Sequence, residues 1–169
     1  MSDVKALTAE AVAIYEEVKK SLDDGRLVRT TRRFAECDPG TDIARTIALD
    51  KKKRARFYAR SVNSDSASLS FAYYFDTEVR LRYVVIGGAT ENGALLEVKI
   101  AFGPDGDRLS EDHRTLAGPP YKFPDAWPKK DVWIIGPNHL YAAANACGEA
   151  TPIPPAPTPA PAPTAKKKI

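Results

Sequence analysis

Histidine and cysteine are the scarcest reactive side chains of this chain, which carries two of each: His113, His139, Cys37 and Cys147. None of them is spaced as in Cys-x-x-Cys or His-x-x-x-His, the pairs from which zinc sites are commonly built. A zinc centre would need all four side chains to converge from distant loops. We therefore expect no metal centre, and no motif calls for a cofactor.

Covalent and acid–base catalysis also lack a recognisable pattern. Cys37 and the serines do not lie in a nucleophile elbow. Asp112 precedes His113 directly, and adjacency in sequence does not orient an imidazole ring as a catalytic triad requires. Asp76 and Glu78 offer carboxylates, but nothing in their spacing places them across a cleft. The sequence favours a non-enzymatic role.

Arginine and tyrosine alternate with core-type residues in the middle of the chain. If Phe57, Phe71 and Tyr73 point into the core, the strand period of two places a second set on an exposed face. This predicted face comprises Arg56, Tyr58, Arg60, Tyr74, Arg80 and Arg82. Such a surface can stack bases or hold an anionic ligand. The simpler interpretation is a solvated face on which arginine stems cover the rings.

The charge balance bears on the class of partner. The formal net charge is +3, and Lys166, Lys167 and Lys168 account for all of it. The rest of the chain therefore has no net basic field, which disfavours a nucleic-acid partner. The run Lys51–Arg54 still leaves room for a local basic patch.

Localisation depends on the two cysteines. Joined in a disulfide, Cys37 and Cys147 would add about 4–5 kcal/mol by closing a long loop, and would indicate an envelope or secreted protein. As reduced thiols that fill space, they would fit a cytoplasmic protein equally well. The start of the chain lacks the features of a signal peptide, and no apolar run is long enough to span a membrane.

An amphipathic helix is predicted near the start of the chain. Apolar side chains recur there at the spacings of one helical face. They are Leu7, Ala11, Ile14, Val18 and Leu22. Thr8 is the expected N-cap, and Gly25 the expected left-handed residue after the last turn.

Alternating apolar and polar residues then predict six strands separated by short turns. They lie within 26–36, 43–49, 54–62, 69–75, 81–85 and 96–102. Such short connections favour an antiparallel meander. The result is an α+β domain with one helix on a twisted sheet, and with Phe71, Tyr73 and Phe75 in the core beneath the helix.

The pattern fades after Leu109 into an irregular, proline-containing segment, in which Tyr121, Phe123 and Trp127 are expected to anchor on the sheet or its rim. We predict one domain over 1–148 and a Pro/Ala-rich, Lys-ended tail over 149–169. Such a tail favours polyproline II and serves as a linker or docking segment.

These observations predict a non-enzymatic binding or protein-interaction module that engages a protein partner through its C-terminal tail. Two alternatives stay open. One is a small ligand-binding protein or enzyme with a pocket between helix and sheet. The other is an RNA- or single-strand-binding protein that uses the arginine and tyrosine face.

Overall fold

The computed structural model describes residues 2–34, 42–63, 68–90 and 93–119. It contains one helix followed by seven strands. They are α1 (Ser2–Asp23), β1 (Val28–Phe34), β2 (Asp42–Leu49), β3 (Ala55–Asn63), β4 (Ser68–Phe75), β5 (Leu81–Ala89), β6 (Leu95–Phe102) and β7 (Arg108–Ala117). The α+β prediction is confirmed, with one strand more than expected.

The strands form a single sheet in the order β1-β2-β3-β4-β5-β6-β7, and each pairs antiparallel with the next. The predicted meander is therefore confirmed. The strand that the sequence pattern missed is β7, at an edge of this sheet. Most of its side chains are exposed and polar, so apolar alternation is weak there. Charged residues are common on edge strands, where they discourage pairing with other chains.

Helix α1 begins six residues before the predicted N-cap. Thr8 lies inside the helix, where its Oγ1 donates to the carbonyl oxygen of Val4 at 2.7 Å. The prediction for the other end is confirmed. Gly25 has a φ of 73°, and the backbone N–H of Arg26 donates to the Ser21 carbonyl at 2.9 Å. This Schellman arrangement satisfies carbonyls that the last turn leaves free.

The length of α1 matches the width of the sheet. Its 22 residues span about 33 Å at the α-helical rise. Seven strands, separated by about 4.8 Å each, span about 29 Å. One helix therefore suffices to cross the sheet, and it contacts strands as distant as β4 and β7.

Four of the hairpin turns share one hydrogen-bond pattern. In the turns that start at Asp50, Asp76, Thr90 and Gly103, the first residue's N–H donates to the fifth residue's carbonyl. The fourth residue's N–H donates back to the first residue's carbonyl, and this fourth residue has a positive φ of 61–89°. A type I turn followed by a left-handed residue is a common three-residue hairpin loop. The same turn geometry therefore sets the pairing of the two strands in each of these four hairpins.

Both faces of the sheet carry buried apolar side chains. On the face that α1 covers, the helix face, the core consists of Ala11, Tyr15, Val18, Leu27, Ala48, Tyr74, Tyr83 and Ala101. On the opposite, far face it consists of Tyr58, Leu69, Phe71, Tyr73, Phe75, Val84, Ile86, Ala94, Leu96, Val98, Ile100 and Phe102.

The prediction that Phe71, Tyr73 and Phe75 of β4 face the helix is therefore wrong. Phe71, Tyr73 and Phe75 are buried, but on the far face, whereas Tyr74 lies beneath the helix. Alternation separates the two faces of a strand, and it does not say which of two apolar faces a helix will cover.

Candidate anion-binding groove

The predicted exposed face is not a single surface, and all but one of its members are buried. Tyr58 and Arg60 point to the far face, because they pair in register with Tyr73 and Phe71. Their exposed fractions are 1% and 3%. The prediction that these two side chains are exposed is therefore wrong.

The other members divide between the helix face and a turn. Arg56, Tyr74 and Arg82 are buried beneath α1, with exposed fractions of 6%, 8% and 1%. Arg80 alone is exposed, and it belongs to the β4–β5 turn. The prediction failed for Arg56 and Arg82 because each sits at a bulge, where one extra residue interrupts the alternation of the strand.

The bulges aim both arginines at the helix. Arg56 is the extra residue between the pairs Leu49–Ala55 and Ala48–Phe57. Its Nη2 donates to Glu17 Oε1 at 2.8 Å, and its Nε donates to the carbonyl of Phe75 at 3.0 Å.

Arg82 repeats this arrangement two strands further along the sheet. It is the extra residue after the β4–β5 turn. Its Nη2 donates to Glu10 Oε1 at 2.6 Å, and its Nε donates to the carbonyl of Phe102 at 3.0 Å. Both arginines therefore fasten the helix to the sheet.

Aromatic rings fill the space between α1 and the sheet. The ring of Tyr15 stacks on Tyr83 at a centroid distance of 4.5 Å and meets Tyr74 edge-on at 4.8 Å. Burial raises the pKa of the Tyr74 hydroxyl far above its usual value, with further contributions from Tyr15 and Asp23. The tyrosine therefore stays neutral, and the cluster is a packed core.

A groove opens where the end of α1 meets the β2–β3 turn. Its volume is about 330 Å³. The groove is lined by Glu17, Ser21, Arg26, Leu27, Asp50, Lys51, Lys52, Arg54 and Arg56. The sequence indicated the positive charge of the turn, but not that the helix end would add Arg26 and Glu17 to the same site.

All three arginines of the groove already have carboxylate partners. Arg54 donates from Nε to Asp50 Oδ2 at 2.8 Å and from Nη1 to the Thr77 carbonyl at 3.0 Å. Arg56 is held by Glu17, as described above. Arg26 lies 3.3 Å from Asp24, in a pair that is half-exposed on both sides. Because the guanidinium N–H groups already donate to partners within this chain, few are left for a bidentate contact with a ligand.

Lys51 and Lys52 are exposed at the mouth of the groove. Neither ammonium group forms an ion pair within the part of the chain that the structure describes. The lining has five basic and two acidic side chains, so its field is positive. The nearby helix C-terminus contributes only about half a negative charge in opposition. The groove suits an anionic group that is attracted by charge.

Asp50 supports the shape of the groove. Its Oδ1 accepts hydrogen bonds from the backbone N–H groups of Lys52 and Arg54, at 2.9 and 3.0 Å. Burial alone would raise the pKa of the Asp50 carboxyl, but the hydrogen bonds from Arg54 and Lys52 outweigh it and hold the pKa below its usual value. The carboxylate therefore stays ionised at neutral pH and fixes the turn that presents the lysines.

A second polar group lies on β7, on the far-face side of the strand. Glu111 Oε2 accepts from Arg108 Nη1 at 2.6 Å, and Glu111 Oε1 lies 3.1 Å from His113 Nε2. Burial would raise the pKa of Glu111, but Arg108 and His113 lower it. His113 thus lies on a strand, in a part of the chain for which the sequence pattern predicted an irregular segment.

No cluster of three or more His, Cys, Asp or Glu residues in the described ranges is placed to hold a metal ion. No helix of the described chain is long and apolar enough to cross a membrane.

Several predictions fall on other parts of the chain. The Cys37–Cys147 disulfide, the aromatic anchors after residue 120 and the tail at 149–169 lie outside the described residues. They remain predictions.

Comparison of the chain with protein-family models, with curated proteins and with solved structures finds no match.

Proposed function

We propose that this protein is a non-enzymatic protein-interaction module whose basic groove binds an acidic segment of a partner. The observation that carries the proposal is the pair of exposed lysines, Lys51 and Lys52, on a positively charged groove of about 330 Å³. Their turn is held rigid by the Asp50 carboxylate, so the charges are presented in place before binding.

The chemistry of the groove favours a flexible acidic peptide over a small ligand that needs exact geometry. Arg54 and Arg56 already bind carboxylates of this chain. The lysines act as hydrated point charges without a preferred direction. Binding that depends on electrostatic attraction alone accepts many different acidic peptide sequences. It weakens as salt is added, because the Debye length is only about 10 Å at 0.1 M ionic strength.

The predicted tail supports the same class of partner. Lys166, Lys167 and Lys168 lie in this tail, and they would be attracted to the same acidic surface as the groove. Attachment at two points raises the effective concentration of the second contact. We therefore propose that the tail at 149–169 is a docking segment. If a protein lacking the tail keeps all its partners in a pull-down, that role is wrong.

The alternatives are less well supported by the geometry. A pocket between helix and sheet would have to displace the stacked rings of Tyr15, Tyr74 and Tyr83. A nucleic-acid surface built on Arg56 and Arg82 would have to expose side chains that α1 covers.

The test uses the full-length protein and a labelled oligoglutamate peptide. We expect the peptide to bind, and binding to weaken as NaCl is added. In the Lys51→Gln plus Lys52→Gln variant, each lost charge removes about 1 kcal/mol, so affinity should fall about 30-fold. The matched control is Lys5→Gln plus Lys99→Gln, two lysines outside the groove, which should bind as the wild type does.

Equal loss in the control and the groove variant would contradict the proposal, since it would mean that only the total charge matters. Tighter binding of a single-stranded oligonucleotide than of oligoglutamate, again dependent on Lys51 and Lys52, would assign the groove to nucleic acid instead.

A further inference from the structure

Strand β1 lies at one end of the strand order. Among the described strands it pairs with β2 alone. In an antiparallel pair, every second residue directs its backbone N–H and C=O groups away from the partner strand. Residues 28–31 are exposed, and Val28 has an exposed fraction of 70%. The outer edge of β1 therefore presents a row of backbone groups to which another extended chain can hydrogen-bond.

The charge of β1 has a single sign. The strand contains Arg29, Arg32 and Arg33 and no acidic residue, and none of the β2 residues in register with it is acidic. The nearest carboxylates along the chain belong to Asp24, which pairs with an arginine of the groove, and to Glu36, which lies outside the described residues. Because like charges on neighbouring strands repel each other, this edge disfavours a second copy of itself and favours an acidic chain.

Strand β7, at the other end of the strand order, carries charges of both signs. Arg108 Nη1 donates to Glu111 Oε2 at 2.6 Å, and Arg114 Nε donates to Asp112 Oδ2 at 2.7 Å. These charges are therefore balanced within their own strand. Arg29 of β1, by contrast, has no ion-pair partner among the described residues. The comparison favours β1 as the edge that binds an acidic chain.

Two of the three arginines of β1 lie on the same side of the strand. Arg29 pairs in register with Ala48 of the helix-face core, and Arg33, four residues further along, points to the same side. Four residues of a strand span about 13 Å, so carboxylates four residues apart on an added strand can face both arginines. Arg32 and Arg33 each have a further interaction, which makes Arg29 the residue to test.

The groove and the edge of β1 adjoin each other. Arg26, two residues before β1, lines the groove together with Lys51 and Lys52. Val28 begins β1 and pairs with Leu49, which directly precedes the turn that carries these lysines. A chain that occupies the groove can therefore continue along β1.

We propose that the acidic segment of the partner adds to β1 as a further strand, running between the groove and Arg33. Its backbone hydrogen-bonds to the outward N–H and C=O groups of β1, and carboxylates on one of its sides face Arg29. This inference rests on the proposed function and adds the conformation that the bound segment takes. In this mode of recognition, main-chain hydrogen bonds supply affinity and alternate side chains supply selectivity.

The test compares two labelled peptides of equal length and charge on the full-length protein. One repeats Glu-Thr over about ten residues, enough to span β1 and reach the groove. The other carries N-methyl groups on two adjacent central residues, one of which must face β1 in any register. Because the methyl group removes an N–H donor, we expect the second peptide to bind about tenfold more weakly.

The outcomes separate this inference from the proposed function. Equal binding of the two peptides, still dependent on Lys51 and Lys52, would overturn strand addition and leave the proposed function in place. Failure of both peptides to bind would overturn both.

Arg29→Gln tests the side-chain contact. The loss of one exposed charge should weaken binding of the Glu-Thr peptide about fivefold. The matched control is Arg114→Gln on β7, which should bind the peptide as the wild type does. Equal affinities of the two variants would overturn the placement of the carboxylates beside Arg29.

Hydrogen exchange, followed residue by residue by NMR, locates the contact on the backbone. With the Glu-Thr peptide bound, we expect slower exchange at alternate amides within 28–34 and no change within 108–117. Unchanged exchange in β1 would overturn strand addition. Slow exchange at every β1 amide before the peptide is added would show that the edge is already paired, and would overturn it as well.

Discussion

At the scale of single residues, Asp50 and Asp76 stabilise their turns through the same set of hydrogen bonds. Asp76 Oδ1 accepts the backbone N–H groups of Glu78 and Arg80, and its Oδ2 accepts Arg80 Nε at 2.9 Å. Asp50 makes the same three bonds to the turn it begins. Each carboxylate therefore satisfies two backbone N–H groups of its own turn.

Asp76→Asn should lower the free energy of unfolding by about 2–3 kcal/mol, because hydrogen bonds to a charged group are lost and Arg82, at 3.6 Å, loses a nearby negative charge. Urea denaturation measures the change. The control Glu78→Gln removes a carboxylate that is 70% exposed and pairs with Arg80, so it should alter stability by about 0.5 kcal/mol or less. Equal losses in the two variants would contradict this role of Asp76.

Gly88 shows a steric requirement on β5. Its φ is 144°, and a Cβ atom there would lie 1.9 Å from the backbone oxygen of Ser68. Gly88→Ala should therefore cost about 2 kcal/mol or more, since backbone must move. At the neighbouring Gly87 the nearest atom would be 3.6 Å away, so Gly87→Ala is the control. A Gly88→Ala protein as stable as the Gly87→Ala protein in urea would disprove this.

At the scale of elements, the helix and the sheet share a common spacing. Glu10 and Glu17 are two helical turns apart, about 10.5 Å. Their partners Arg82 and Arg56 lie two strands apart, about 9.6 Å. Asp24, another seven residues along, pairs with Arg26 just before β1. The match allows Glu10 and Glu17 of one helix to reach the arginines of two hairpins, β4–β5 and β2–β3.

Glu10→Gln and Glu17→Gln should each destabilise the fold by about 1–2 kcal/mol, because each removes the half-exposed carboxylate to which the Nη2 of a buried arginine donates. Arg82 keeps Asp76 at 3.6 Å, so Glu10→Gln should lie at the lower end of this range. The two sites share no partner, so the double variant should be additive within about 0.5 kcal/mol. Glu16→Gln, on the exposed side of α1, is the control. A strongly non-additive double variant would show that the two pairs act as one unit.

At the scale of the whole molecule, the lowered carboxyl pKa values make stability depend on pH in the acid range. The pKa values of Asp50, Asp76 and Glu111 are all lowered, because hydrogen bonds from arginine and backbone groups outweigh the effect of burial. In acid, the unfolded chain therefore binds more protons than the folded chain does. The resulting stability is fully present above the ordinary carboxyl pKa of about 4 and is lost as pH falls through the folded values.

The urea midpoint should accordingly be nearly constant from neutral pH to about pH 5 and fall steeply below about pH 4. The Asp76→Asn protein should lose less over the same acid range, because one of the lowered carboxyls is absent. Parallel acid curves for the two proteins would contradict the assignment of this pH dependence to Asp76.

The whole sheet also explains why the proposed binding site is small. One face is covered by α1, and the far face is buried as well. The proposed function therefore uses a turn, and the β2–β3 turn carries the exposed Lys51 and Lys52. The fold thus acts as a rigid frame that presents Lys51 and Lys52.

The sequence by itself determined the features that depend on near neighbours. The helical period, the left-handed Gly25 and the alternation of β4 all follow from residues a few positions apart, and so does the antiparallel meander, since short turns admit little else. Seven strands replaced six because β7 has almost no apolar alternation to read.

Only the tertiary structure decided which face the helix covers and where the arginines point. Arg56 and Arg82 leave the alternation of their strands because a bulge follows each turn, and the carboxylates that hold them are 39 and 72 residues away. Local periodicity carries no information on partners at such separations. Most residues of the surface that the sequence predicted to bind a ligand are therefore buried in the folded protein. The groove is formed by a helix end and a turn that meet only in the folded protein.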